Sequence, residues 1–357
     1  MPPYHILVIN PGSTSTKVAV YEDERPLCVS TIRHTPDELA AYAQIIDQHD
    51  FRRQLVTDWL AQNNIPLRFD AIIGRGGLIK PIPGGVYRVN RKMCFETYYA
   101  LRKHACNLGC ILAYELAKEQ GGGCQAYIAD PVTVDELVPE ARVSGSPLMP
   151  RLAIWHALNQ RAIARRYARQ VGCNYNDLNL IVCHLGGGIS VAAHEHGRAI
   201  DANNALDGEG PLSPERAGTL PAADLIHLCY SGRYTEEQLK KRVAGQAGLM
   251  AHLGTTDILQ IMQMIEQGNE RARLLINAMI FHTAKQIAAE GAVLCGRVDA
   301  ILLTGGMAHS AYITEGIKQR VSYLAPVHVF PGEDEMEALA LNALAVLRGE
   351  CQAKEYE

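Results

Sequence analysis

Apolar residues in this chain fall into short unbroken runs that end in glycine-rich turns. Longer stretches with apolar residues every three or four positions separate them. Ile6–Ile9 is the first run. It enters Asn10-Pro11-Gly12-Ser13-Thr14-Ser15-Thr16-Lys17, and Val18–Tyr21 leaves it, which predicts strand, tight turn, strand. Val29–Arg33 predicts a third strand, and residues 36–62 a helical region starting at Thr35-Pro36-Asp37-Glu38. Phe69–Ile73 reads as a buried strand running into Gly74-Arg75-Gly76-Gly77. The following Lys80-Pro81-Ile82-Pro83-Gly84-Gly85 is too rich in Pro and Gly for a regular element. Residues 96–119 carry a long helical pattern stopped by Gly121–Gly123, and Ala126–Ala129 predicts a strand ending at Asp130-Pro131.

Ser144-Gly145-Ser146-Pro147-Leu148-Met149-Pro150 is the best domain boundary in the chain, dividing residues 1–150 from 151–335. Beyond it, Trp155–Gln170 predicts a helix whose Arg161, Arg165, Arg166 and Arg169 form a solvated face. Leu178–Cys183 then enters His184-Leu185-Gly186-Gly187-Gly188-Ile189-Ser190, again strand, glycine turn, strand. The opening pattern therefore returns in a second domain as an architectural duplication. His194-Glu195-His196 reads as an exposed hairpin end rather than a metal site. The polar stretch 201–220 predicts a functional or disordered loop. Helical patterns cover 222–243 and 256–290. Asp299–Thr304 predicts a strand ending in Gly305-Gly306, Val327–Phe330 another strand, and a last helix runs to about residue 348.

At 357 residues the chain is long enough for two cores. A net charge of −4 gives no electrostatic case for nucleic acid or an anionic membrane. No apolar run reaches the length of a membrane span, and the first residues lack a signal-peptide pattern. The ten cysteines are scattered without a C-x-x-C pair, and the helical spacing of Cys106 and Cys110 predicts two buried thiols. Together these point to a reducing, cytoplasmic location.

The first turn is dense in hydroxyls and backbone N–H groups. Gly12 allows close backbone approach, Ser13 and Ser15 donate, and Lys17 adds a cation, so the turn can surround a phosphate. It lacks the Gly-Lys-Ser/Thr ending and following helix of a Walker A loop. Gly186, Gly187 and Gly188 form a second such turn. Gly305 and Gly306 form a third, whose bare backbone suits an adenosine. Three turns of this kind predict an ATP cleft between duplicated domains.

NPGSTSTK, HLGGG and LTGG resemble the two phosphate motifs and the adenosine motif of the acetate and sugar kinase/Hsp70/actin superfamily. Within it, the chain resembles the acetokinase family of short-chain carboxylate kinases from end to end. GRGGLIKPIPGG, ADPVTVDEL and DANNALDGEGPLSPERAGTLP are similar to its butyrate kinase branch. The resemblance implies an α/β fold of two ribonuclease-H-like domains facing each other across a nucleotide cleft, with the C-terminal helix, 336–357, packed on the first. It implies reversible transfer of the ATP γ-phosphoryl to a carboxylate, giving an acyl phosphate and ADP. It also implies Mg²⁺ and a homo-oligomer, dimer or higher.

Residue by residue, the resemblance assigns Arg75 and Arg216 to the carboxylate and the phosphoryl group, and His184 and His156 to the phosphoryl oxygens. Trp155 falls on the acyl pocket, and Asp130 on a catalytic aspartate that orients Arg75 or holds a metal-bound water. Asn10 pairs with Glu335 as the metal ligands, with Glu333 as the alternative two residues earlier. Asp257 matches a ribose contact, but Leu259 stands where an arginine is expected, so nucleotide preference is open. Acetate, propionate or branched-chain acids are alternative substrates, since one methylene is worth only about 1–3 kcal/mol in a pocket. A non-kinase actin- or Hsp70-like ATPase module is the alternative from another class. It does not call for Arg75 and Arg216, and no room for a further domain follows residue 350.

Overall fold

The computed structural model describes residues 2–100 and 104–357. They form two compact units, Met1–Val134 with Asp334–Glu357, and Asp135–Glu333. The segment Ser144–Pro150 lies inside the second unit, and the chain passes between units at Val134/Asp135 and Glu333/Asp334.

The first unit is built on β1 (His5–Pro11), β2 (Ser15–Glu22), β3 (Arg25–Arg33), β4 (Ala71–Arg75), β5 (Val86–Arg88) and β6 (Gln125–Ala129), in the order β3-β2-β1-β4-β6-β5. β1, β2 and β3 form an antiparallel meander, with Val8 opposite Ala19. β4 and β6 extend it in parallel, with Val8 opposite Ile73, and β5 closes the edge antiparallel to β6. The run Ile6–Ile9 is wholly buried, as a central strand covered on both faces must be. β3, at the edge, has no fully buried residue. The second unit contains β7 (Asn179–Leu185), β8 (Ile189–Glu195), β9 (Arg198–Ala202), β10 (Ala300–Gly305) and β11 (Val327–Pro331), in the order β11-β10-β7-β8-β9. Here too an antiparallel meander is extended by two parallel strands beside its first strand. Both sheets have the strand order of a ribonuclease-H-like domain, with β5 as an added edge strand in the first. The duplicated α/β fold read from the two hairpins is what the structure has.

The long helical patterns break where capping residues restart them. Thr35 caps Pro36–Ala40 through a reciprocal capping box with Glu38. A short 3₁₀ turn, Ile45–Gln48, then precedes the helix His49–Gln62. The 96–119 pattern resolves into Arg91–Tyr98, capped by Asn90, and Leu108–Gln120; its residues 101–103 lie outside the described residues. Thr235 caps Glu236–Val243 and Asn269 caps Glu270–Val293, splitting the other two long patterns. The last helix, Glu335–Leu347, buries Ala338, Leu339, Ala340, Ala343 and Leu344 and packs on β1 and β4 of the first unit.

One expectation needs correcting. Arg161 is not part of a solvated face; it is buried and pairs with Glu136 at 3.0 Å, while Arg166 and Arg169 are exposed. Cys106 and Cys110 are both buried thiols. No helix among the described residues is long and apolar enough to cross a membrane.

Candidate active site

In the first unit the sequence-assigned residues meet at one carboxylate. Asn10 ends the buried run of β1, and its Nδ2 donates to Glu335 Oε2 at 2.7 Å. Arg75 ends β4, and its guanidinium donates to the same oxygen in an ion pair. Glu335 opens the last helix and is 7% exposed, so the chain's C-terminal part supplies the anion that joins two neighbouring strand ends. The position of Arg75 depends on a backbone-to-backbone approach. A Cβ on Gly74 would lie 2.0 Å from the carbonyl oxygen of Gly109, so β4 touches the helix Leu108–Gln120 with no side chain between.

The turn after β1 is closed by the Gly12 N–H, which donates to Ser15 O at 2.7 Å. Ser13, Thr14 and Lys17 are exposed. Asp130, just after β6, is buried and sits at φ +39°, a left-handed conformation that Asp tolerates better than most residues. Its Oδ1 accepts from the Gly85 N–H at 2.7 Å, and its own N–H donates to Gly85 O at 3.0 Å.

In the second unit His184 is the penultimate residue of β7, with 1% exposure. Its Nδ1 lies 2.8 Å from Asn159 Oδ1 and its Nε2 3.0 Å from Glu333 Oε1. Glu333 therefore works in the second unit on His184, whereas Glu335 works in the first on Asn10 and Arg75. The imidazole of His156 stacks on that of His184 at 3.8 Å and 9°. His156 is not inside a helix as predicted. The helix starts at Ala157, because Ser190 Oγ holds both the backbone N–H (3.3 Å) and Nδ1 (2.8 Å) of His156 ahead of it. Trp155 is buried against His194, edge to face at 5.6 Å.

The second glycine turn is held from the polar 201–220 loop, which is ordered. Ser213 Oγ and the Glu215 N–H both donate to Gly187 O, at 2.7 and 3.0 Å. A Cβ on Gly186 would meet His184 Nε2 at 2.7 Å, and one on Gly187 would crowd the Glu215 carboxylate. Arg151 anchors the start of this loop through Asp201 (3.0 Å), the Ala202 carbonyl and Glu209. Arg216 pairs with Glu215 at 3.1 Å. Its buried Nε has no acceptor among the described residues.

Gly305 has φ +93°, and a Cβ there would lie 2.4 Å from Leu185 O. Gly306, next to it, is exposed with open space above. Asp257 is the N-cap of the helix Ile258–Glu266, accepting from the N–H groups of Leu259 and Gln260 at 2.9 and 3.3 Å. That cap accounts for the aspartate structurally. The predicted exposed end at His194-Glu195-His196 is half wrong. His194 is buried, with Tyr175 on Nδ1 at 2.6 Å and Gln160 on Nε2 at 3.2 Å, and burial holds it neutral with a pKa pushed down to about 3.

Sequence reasoning missed Asn159, Ser190, Glu215 and Arg151. Two had a positional signal, Ser190 at the end of the second glycine-turn stretch and Asn159 three residues after His156.

The chain matches the acetokinase family model over residues 153–328. It is 62% identical over 352 residues to a protein of Bacteroides thetaiotaomicron described as a probable butyrate kinase, covering 99% of both chains. It is 48% identical over 356 residues to butyrate kinase 2 of Clostridium acetobutylicum, again covering 99% of both. Among solved structures, the acetate kinase of Porphyromonas gingivalis superposes with a TM-score of 0.80 over 96% of this chain and all of that one, at 17% identity, a likeness of fold. Identity of this extent, with the duplicated fold beneath it, means that the chain belongs to the acetokinase family and is a carboxylate kinase.

Proposed function

We propose that this chain phosphorylates butyrate reversibly, a carboxylate oxygen forming the new bond to the γ-phosphorus of ATP as the bond to the bridging oxygen of ADP breaks. The observation that carries the substrate is the identity with butyrate kinases along almost the whole chain. A carboxylate is already a nucleophile, so the protein's task is alignment and charge stabilisation.

Arg75 presents its guanidinium from a rigid strand end to the acyl carboxylate or the phosphoryl group. Arg216, paired with Glu215, supplies the second guanidinium for a phosphoryl oxygen. His156 donates to the same charge, its ring held by stacking on His184, which is fixed in turn between Asn159 and Glu333. Gly12, Ser13, Ser15 and Lys17, with Gly186, Gly187 and Gly188, hold nucleotide phosphates. Gly305 and Gly306 carry the adenosine, and Asp257 contributes to the ribose from its helix cap. Asp130 keeps the Gly85 segment in register with the end of β6.

Asn10 and Glu335 fit Mg²⁺ in donor type. Both bring hard oxygens, and the Asn10 amide directs its N–H at Glu335, so that its carbonyl oxygen is the acceptor to offer. Bound there, Mg²⁺ would neutralise phosphate charge. We also propose a cytoplasmic location, from the ten free cysteines, and a homo-oligomer, from the resemblance to the family.

The test is acyl hydroxamate formation with Mg²⁺–ATP over acetate, propionate, butyrate, isobutyrate and valerate, together with Arg75→Ala and Arg216→Ala. Activity should peak at four carbons and fall in each variant by about a hundredfold or more. A peak elsewhere changes the substrate. No product with any acid, while ATP hydrolysis persists in both variants, refutes the assignment.

A further inference from the structure

The Asn10–Lys17 turn rests on a cation that lies outside every glycine motif. Arg52, in the first turn of the helix His49–Gln62, is 1% exposed. Its Nη1 donates to the carbonyls of Gly12 (2.8 Å) and Ser15 (3.1 Å) and to Thr16 Oγ1 (3.1 Å), and its Nη2 reaches Ser13 O at 3.4 Å. On the other side, Nε and Nη2 donate to Gln48 Oε1 at 3.1 and 2.8 Å. Every acceptor is a neutral oxygen, and among the described residues no carboxylate lies within ion-pair distance of Arg52. A buried guanidinium usually has an acidic partner. Nor does His34 add to the charge. Its Nε2 lies 2.9 Å from Thr16 Oγ1, and burial, with Arg52 beside it, pushes its pKa down to about 4.

Two consequences follow for the turn. A trans peptide directs its N–H opposite to its C=O, so drawing the carbonyls of Gly12 and Ser13 onto Arg52 turns the N–H groups of Ser13 and Thr14 away from it. Those two residues are exposed. Behind them stands a positive charge that no carboxylate among the described residues pairs with. Outward N–H groups backed by a cation suit an anion. We propose that Arg52 is a positioning residue for nucleotide binding, shaping the turn with its fork and leaving its charge to be balanced by the nucleotide's phosphates. This rests on the reading of the turn as a phosphate site.

Gln48→Glu is the decisive variant. It keeps both hydrogen bonds to Arg52 and supplies the missing counter-charge, so a purely structural Arg52 would be undisturbed or better held. The proposal expects the Kd for ADP, measured by calorimetry, to rise on the order of tenfold, the effect of one unit charge acting across about 10 Å at an effective dielectric near 20. Binding of adenosine, which has no phosphate, should be unchanged, and Tm should not fall. Arg52→Lys, with the charge but not the fork, should also bind ADP more weakly. Ser13→Asp, which places a carboxylate on the exposed face of the turn, should lose ADP binding. If Gln48→Glu and Arg52→Lys bind ADP as the unmodified chain does while Ser13→Asp does not, Arg52 is only structural and the proposal is overturned, with the phosphate turn left standing. A loss for adenosine equal to that for ADP overturns it as well. If Ser13→Asp binds ADP normally, the turn is not a phosphate site, and both readings fall.

Discussion

Replacing Glu335 by Gln removes one charge from the junction of β1, β4 and the last helix while keeping its volume. Oε2 now accepts from Asn10 Nδ2 at 2.7 Å and pairs with Arg75. Hydrogen bonds to a charged group contribute about 1.5–3 kcal/mol each, and neutral ones about 1, so the amide retains roughly half. Breaking a fully buried ion pair costs about 3–5 kcal/mol. The Arg75 side chain is 21% exposed, and water can take over part of the lost interaction, so the loss should lie nearer 2 kcal/mol. At about 2–4 °C per kcal/mol, calorimetry should show Tm lowered by several degrees. In the hydroxamate assay with butyrate, kcat/KM should fall by about a hundredfold or more and the Mg²⁺ half-saturation point should rise. Glu333→Gln takes the charge from its contact with His184 at 3.0 Å and should lower kcat while leaving the Mg²⁺ curve in place. The assignment of roles is refuted if Glu335→Gln stays within threefold of the parent with the same Mg²⁺ curve, or if Glu333→Gln is the variant that moves it.

Gly74→Ala should destabilise the first unit by more than about 3 kcal/mol, because strand and helix must separate to admit a Cβ 2.0 Å from the Gly109 carbonyl; a Tm within a degree of the parent would show that the contact gives way easily. Glu290 is 1% exposed with Oε2 unpartnered, and burial pushes its pKa up to about 8. Its folded pKa exceeds its unfolded one, so the chain loses stability as pH rises from about 4.5 through 8. Glu290→Gln should therefore stabilise the protein at pH 8 by roughly 2–4 kcal/mol and change little at pH 4.5 in denaturant titrations; equal effects at both would mean that the carboxyl is not held neutral.

Most of the strands were legible because a strand covered on both faces is a continuous apolar run, and Ile6–Ile9, Leu180–Cys183 and Ala300–Leu303 are wholly buried. The helices were legible as regions but not as lengths. Periodicity ran through Asn269 and Thr235, whose side chains each cap the start of a new helix. Arg161 and His194 were misread for one reason. Periodicity cannot show that a polar side chain has a buried partner, and Glu136 and Tyr175 are distant in sequence or lie in another element. The distinction between Glu333 and Glu335 was not legible either. They lie two residues apart, on either side of the point where the chain changes units, and only their partners separate them.

The repetition of the fold does not extend to the support of its turns. β1–β2 and β7–β8 are the same hairpin in the same place in two sheets, since strand order and register are set by backbone hydrogen bonds. Behind the first turn lies a buried guanidinium drawing carbonyls inward. Against the second lie a hydroxyl and a backbone N–H on Gly187 O, next to the carboxylate of Glu215, which holds Arg216. One turn has a fixed cation built into its floor, and the other has a cation on a side chain with a donor still unsatisfied. Two domains of one architecture are thus free to carry different chemistry, because the side chains behind a turn are not constrained by the ladder that places it. On the function proposed above, the fixed charge of Arg52 would serve a nucleotide's phosphates and Arg216 the phosphoryl oxygens, which are charged throughout the reaction.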